Sequence, residues 1–209
     1  MEIKNDLSFV NFSQFGTSTE HNDDNEGKAS VDARDIVVHN YNGCQYKVIV
    51  GATNYPISWL DDKDGKTYLP SDGNKGAFLF YIPVTPSSSC AVFSTEFGVD
   101  GHDTMANSVT QLKNGAMYVA GTTTGSLPGM INWSYPGNPA PFIAVKDQYS
   151  TTEKSWSPSE WVEFSSSIFQ TLSTITSNPN DQNQRMYVSG VKQSKGGVPM
   201  YYAYLISHF

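Results

Sequence analysis

The sequence predicts an all-β fold built from a repeated four-stranded unit. Composition is the first observation. The 209 residues are rich in Thr, Ser, Asn, Gly, Tyr and Phe, and only 16% are charged. That is the vocabulary of strands and tight turns, and long Glu/Lys/Ala/Leu runs are absent. The second observation is a phrase written three times: "YKVIVGATN" from Tyr46, "AMYVAGTTT" from Ala116 and "RMYVSGVKQ" from Arg185. Its glycines, Gly51, Gly121 and Gly190, stand 70 and 69 residues apart. A β-branched and aromatic run ending in Gly reads as a strand whose backbone something approaches closely. The third observation is that the flanking segments keep one order.

Each repeat opens on an aromatic strand: "FVNFSQFG" from Phe9, "AVFSTEFG" from Ala91 and "SEWVEFS" from Ser159. A polar–apolar alternation follows: "DARDIVVH" from Asp32, "ANSVTQL" from Ala106 and "FQTLSTIT" from Phe169. Next comes the glycine strand. "YNG" at Tyr41 and "KNG" at Lys113 read as the hairpin turns that lead into it. A loop and a second aromatic strand close the unit: "GAFLFYIPV" from Gly76, "APFIAVKD" from Ala140 and "PMYYAYLIS" from Pro199. The chain is read as one all-β domain, residues 1–209, of three repeats at about 7–84, 91–147 and 159–209.

Four antiparallel strands at a fixed period are the signature of a propeller blade. The middle repeat, from "FSTEFG" through "NGAMYVAGTTTG" to "PFIAVKD", resembles the bacterial SBBP repeat, a β-propeller blade family. The resemblance is good over 91–147 and partial over 7–84. It is weak over 159–209, where Phe164-Ser165 replaces Phe-Gly and no Asn-Gly precedes the glycine strand. It implies a fold and carries no catalytic motif. Three blades leave too wide an angle for a ring of sheets about 10 Å apart, and propellers typically have four to eight. An open stack would expose apolar faces at both ends. The expectation is therefore a homodimer that closes a six-bladed ring. The alternatives are a single three-fold domain, β-trefoil-like or β-prism-like, or a fragment of something longer.

Function is expected in the loop after the glycine strand, which differs most between repeats. From glycine to the next aromatic strand it shortens along the chain, anchored at Gly51–Phe78, Gly121–Phe142 and Gly190–Tyr201. The first loop holds Tyr55, Trp59, Asp61, Asp62 and Asp64, and the second Asn132, Trp133, Tyr135 and Asn138. An aromatic plane beside carboxylates and amides suits a sugar, stacking on its C–H face and bonding its hydroxyls. The leading expectation is a non-enzymatic, lectin-like carbohydrate-binding module that uses these nine residues. The rivals are a protein-interaction or structural subunit of a larger, toxin-like assembly, with Tyr201, Tyr202 and Tyr204 at its surface, and a glycan-acting enzyme.

Other classes find little support. With a net charge of −7 and no Lys/Arg cluster, neither phosphate nor anionic lipid is an expected partner. No apolar run reaches membrane-spanning length. "MEIKNDLSFV" lacks the apolar core of a signal peptide, which leaves the compartment open between cytoplasm and a non-classical export route. His21, His39, His102 and His208 show no metal spacing, and no GxSxG elbow is present. "LDDKDGK" at Leu60 and "HNDDNEGK" at His21 suggest calcium, but neither has the acidic twelfth position of an EF-hand loop, so no cofactor is expected. Cys44 and Cys90 read as two buried thiols, with a single disulfide as the alternative.

Overall fold

The computed structural model describes residues 2–3, 9–11, 30–54 except 42, 74–127 except 86, 88, 91, 100 and 114, 139–146, 160–163, 171–193 except 179 and 181–184, and 199–206. Among these there is no helix. The strands are β1 (Glu2–Ile3), β2 (Phe9–Asn11), β3 (Val31–Tyr41), β4 (Cys44–Thr53), β5 (Gly76–Pro83), β6 (Phe93–Phe97), β7 (Thr104–Gln111), β8 (Met117–Thr123), β9 (Ala140–Lys146), β10 (Glu160–Glu163), β11 (Thr171–Ser177), β12 (Met186–Gln193) and β13 (Pro199–Ile206). They form a two-stranded ribbon, β1-β2, and three antiparallel sheets: β3-β4-β5-β6, β7-β8-β9-β10 and β11-β12-β13. The all-β expectation holds.

The sheets follow chain order, but they are out of phase with the sequence repeat by one strand. "FSTEF" and "EWVE" do not open the second and third sheets. They pair with β5 and β9, as the outermost strands of the first and second. The third sheet has no such fourth strand among the described residues.

The hairpin signals stand. Tyr41 pairs with Cys44, and Gly43 between them has φ 76°, a conformation glycine adopts without steric cost. The second turn closes through Leu112 N–H to the Ala116 carbonyl, with Gly115 at φ 87°.

The glycine strands occupy the second position of each sheet. At each one the neighbouring strand slips register, between Ala33 and Asp35, between Ala106 and Ser108, and between Leu172 and Thr174. The slip is a β-bulge, and in the first two sheets it turns a carbonyl onto the glycine. A Cβ at Gly51 would meet the Asp32 carbonyl and, at 2.8 Å, the Phe78 ring. A Cβ at Gly121 would meet the Met105 carbonyl and the Phe142 ring. In the third sheet Gly190 lies opposite Leu172 and Tyr202, so Tyr202, not Tyr201, is the counterpart of Phe78 and Phe142.

The sheets stack face to face. Val48, Val50, Leu79 and Tyr81 of the first pack on Val109, Met117, Val119 and Phe142 of the second. The opposite face of the second, with Tyr118, Ala120 and Ile143, packs on Leu172, Ile175 and Val188 of the third. Phe97 of β6 meets Phe142 edge-on at 5.8 Å between ring centres, so the outer strand also ties neighbouring sheets together. The two cysteines are not free thiols. They form a disulfide across 46 residues, between the start of β4 and the β5–β6 connection. Their separation in sequence hid this, because the antiparallel return of β5 brings them together.

Three outcomes are expected in urea unfolding. Gly121→Ala lowers stability by about 2–3 kcal/mol through overpacking. Gly98→Ala, whose Cβ meets nothing nearer than 3.5 Å, changes it by under about 1 kcal/mol. Removing the disulfide as Cys44→Ala/Cys90→Ala lowers stability by up to about 4 kcal/mol, the chain-entropy value for a loop of this length.

Candidate functional site

The connections that vary between repeats leave the stack at one rim. The first runs from Thr53 to Gly76 and the second from Thr123 to Ala140. Their roots are built alike. In the first sheet, Ser30 N–H donates to the Asn54 Oδ1 at 2.7 Å and Asn54 N–H donates to the Ser30 carbonyl. In the second, Asp103 N–H donates to the Thr124 hydroxyl at 2.9 Å and Thr124 N–H donates to the Asp103 carbonyl. Side-chain oxygens here replace ladder partners where the strands part.

The two roots are also joined to each other. Lys75 N–H donates to the Asp103 carboxylate at 2.8 Å, and Thr104 N–H donates to the Lys75 carbonyl at 2.7 Å. Behind them the buried hydroxyls of Thr104 and Thr123 share a hydrogen bond at 3.1 Å. Thr123 also accepts from Gly125 N–H, and a Cβ at Gly125 would meet the His102 side chain at 2.8 Å. The roots of the first two loops thus form one polar seam between adjacent sheets.

Tyr55, Trp59, Asp61, Asp62 and Asp64 belong to the first connection, and Asn132, Trp133, Tyr135 and Asn138 to the second. All nine lie outside the described residues, as do "LDDKDGK" and "HNDDNEGK". Among the described residues no group of three or more His, Cys, Asp or Glu side chains could hold a metal ion, and no helix is long and apolar enough to cross a membrane.

A second polar feature escaped the sequence reading. It runs along the first strands β3, β7 and β11, at the bulges. Arg34, the extra residue of the first bulge, donates to Asn107, the extra residue of the second, and Asn107 donates to the Leu172 carbonyl at 2.6 Å. One residue on, the Asp35 carboxylate accepts from Ser108 Oγ at 2.5 Å and from Val109 N–H at 2.9 Å. Thr110 and Ser177 continue the line with a hydrogen bond at 3.1 Å. The Arg34–Asp32 ion pair beside it, at 2.7 Å, is partly exposed and contributes little stability. The signal was in the sequence. "ARDI" and "ANSV" each put two polar residues side by side in an otherwise alternating strand.

The far end of the first sheet offers no comparable chemistry. Tyr41, Tyr46, Tyr81 and Phe93 stack there beside the disulfide. Burial pushes the Tyr46 and Tyr81 phenols above their ordinary range, so both stay neutral.

No known family model matches this chain, and a search of curated proteins gave no match.

The seam makes a local prediction. Asp103→Ala removes the carboxylate that holds Lys75, and amide exchange at Lys75 and Gly76 is expected to quicken by about tenfold, a loss of about 1–2 kcal/mol of local stability. Exchange at Val119 and Val50, in the strand centres, is expected to stay unchanged.

Proposed function

We propose that this protein is a non-enzymatic carbohydrate-binding module, a lectin-like protein whose ligand sits on the rim that carries the long loops. The observation behind this reading is the seam at Lys75, Asp103 and Thr124, which couples the roots of the two loops rich in Trp, Tyr, Asp and Asn. Loops rooted on rigid, adjacent strands can present two aromatic anchors to one extended ligand. Trp59 and Trp133 supply the stacking planes. Asp61, Asp62, Asp64, Asn132 and Asn138 supply hydrogen-bonding groups for hydroxyls, and Tyr55 and Tyr135 supply both kinds of contact.

The three sheets are the blades of a β-propeller, and two chains close one six-bladed ring. The shared strand order, the face-to-face stack and the polar line on the first strands support this arrangement. A disulfide suits an oxidising compartment, where extracellular glycans are met. The exposed Tyr187 and Tyr201 favour a second reading, a protein-interaction module. In the ring, however, these residues face the second copy and leave the rim for the ligand.

The test is a glycan array with the wild type and the Trp59→Ala and Trp133→Ala variants. Binding to a related set of glycans, weakened about tenfold or more in either variant, is the expected result. Absence of binding by three folded proteins would turn the reading toward protein partners.

A further inference from the structure

Two consecutive residues between the first and second sheets hold both loop roots at once. β6 is the last strand of the first sheet and β7 the first of the second. Between them the chain turns tightly, with Gly101 at φ 73° and His102 N–H donating to the Val99 carbonyl at 3.1 Å. Asp103 follows. Its main chain serves the second loop: the N–H donates to the Thr124 hydroxyl, and the carbonyl accepts from Thr124 N–H. Its carboxylate serves the first loop, accepting from Lys75 N–H. Thr104 divides its groups the other way. Its N–H donates to the Lys75 carbonyl, and its hydroxyl shares a hydrogen bond with Thr123, which accepts from Gly125 N–H. Thr104 and Thr123 are fully buried, so water does not compete for that bond.

The first sheet supplies an internal comparison. Ser30 precedes β3 as Asp103 precedes β7, and it holds Asn54 through the same two main-chain groups. What differs is the side chain. The Ser30 hydroxyl donates to Asn54 of its own loop root at 3.1 Å, whereas the Asp103 carboxylate crosses to a neighbouring sheet. The carboxylate is therefore an addition to a repeated root that closes without it.

We propose that Asp103 is a positioning residue that couples the two loops: order at the end of the first loop passes through its carboxylate and main chain to the start of the second, and the reverse. A displacement of Lys75 pulls on the carboxylate, and turning Asp103 shifts both of its bonds to Thr124. The coupling is reciprocal, because it is one free energy shared by the two roots. Its consequence for binding rests on the carbohydrate reading. A glycan held by one loop stiffens the root of the other, which then pays less entropy to join the same ligand.

The experiment is amide exchange in the full chain, read residue by residue, beside the glycan array. Asp103→Ser reproduces the Ser30 form of the root. It is expected to quicken exchange at Thr124 and Gly125 by about threefold or more, although the acceptors of both amides remain. Thr124→Val removes the hydroxyl acceptor on the second loop, and exchange at Lys75, on the first, is expected to quicken by a similar factor. Asp103→Asn keeps an acceptor oxygen for Lys75 N–H and is expected to restore wild-type exchange at Lys75, Thr124 and Gly125. On the array, Asp103→Ser is expected to weaken glycan binding by about threefold through lost preorganisation. Unchanged exchange at Thr124 and Gly125 in Asp103→Ser, or at Lys75 in Thr124→Val, would overturn the coupling. An Asp103→Asn variant that behaves like Asp103→Ser would overturn it too. Coupled exchange with unweakened glycan binding would overturn the consequence for binding. Coupled exchange with no glycan bound by any variant would support the coupling and count against the carbohydrate reading alone.

Discussion

The stack depends on a contact that only glycine permits. In the first two sheets the bulged first strand turns a carbonyl, from Asp32 or Met105, onto the second strand. On the other side a Phe ring lies across the same residue, Phe78 at Gly51 and Phe142 at Gly121. A side chain there would push the bulge outward or lift the ring. The ring of Phe142 is part of the core between the first two sheets, so lifting it would part them. The bulge aims Arg34 and Asn107 along the line of first strands, so losing it would also break their hydrogen bonds. One backbone constraint therefore sets sheet curvature, inter-sheet packing and the polar line together.

The two ends of the sheets divide the remaining work. At one end the first sheet is locked by the disulfide and a cluster of aromatic rings. At the other the strands part, and side-chain oxygens from Asn54, Asp103 and Thr124 take over the backbone hydrogen bonds. A fixed base and a rim whose loop roots are individually satisfied let the loops change length without disturbing the sheets. That is the physical sense in which loops of three lengths share one scaffold.

Much of this was legible in the sequence. Asn-Gly turns and the repeated glycine phrase located the central hairpins, because those signals are local. The membership of the aromatic Phe-Gly strands was not legible. A repeat boundary drawn by similarity does not say whether a strand pairs forward or backward, and "FSTEF" pairs backward with β5. The bulges showed only as a skipped alternation at Arg34-Asp35 and Asn107-Ser108. The Cys44–Cys90 bond depends on the return of β5 and has no local trace. The nine loop residues were chosen by composition, which states what a loop could bind and not how its side chains converge.

The most direct measurement is the proton shift of the Gly51 and Gly121 α-protons in the folded protein. Rings of Phe78 and Phe142 pressed on these residues are expected to move at least one α-proton of each well upfield, and the shift at Gly121 is expected to disappear in Phe142→Leu. Ordinary, unshifted α-protons at both glycines would contradict the account, because neither the bulge nor the ring would then be seated where the stack requires it.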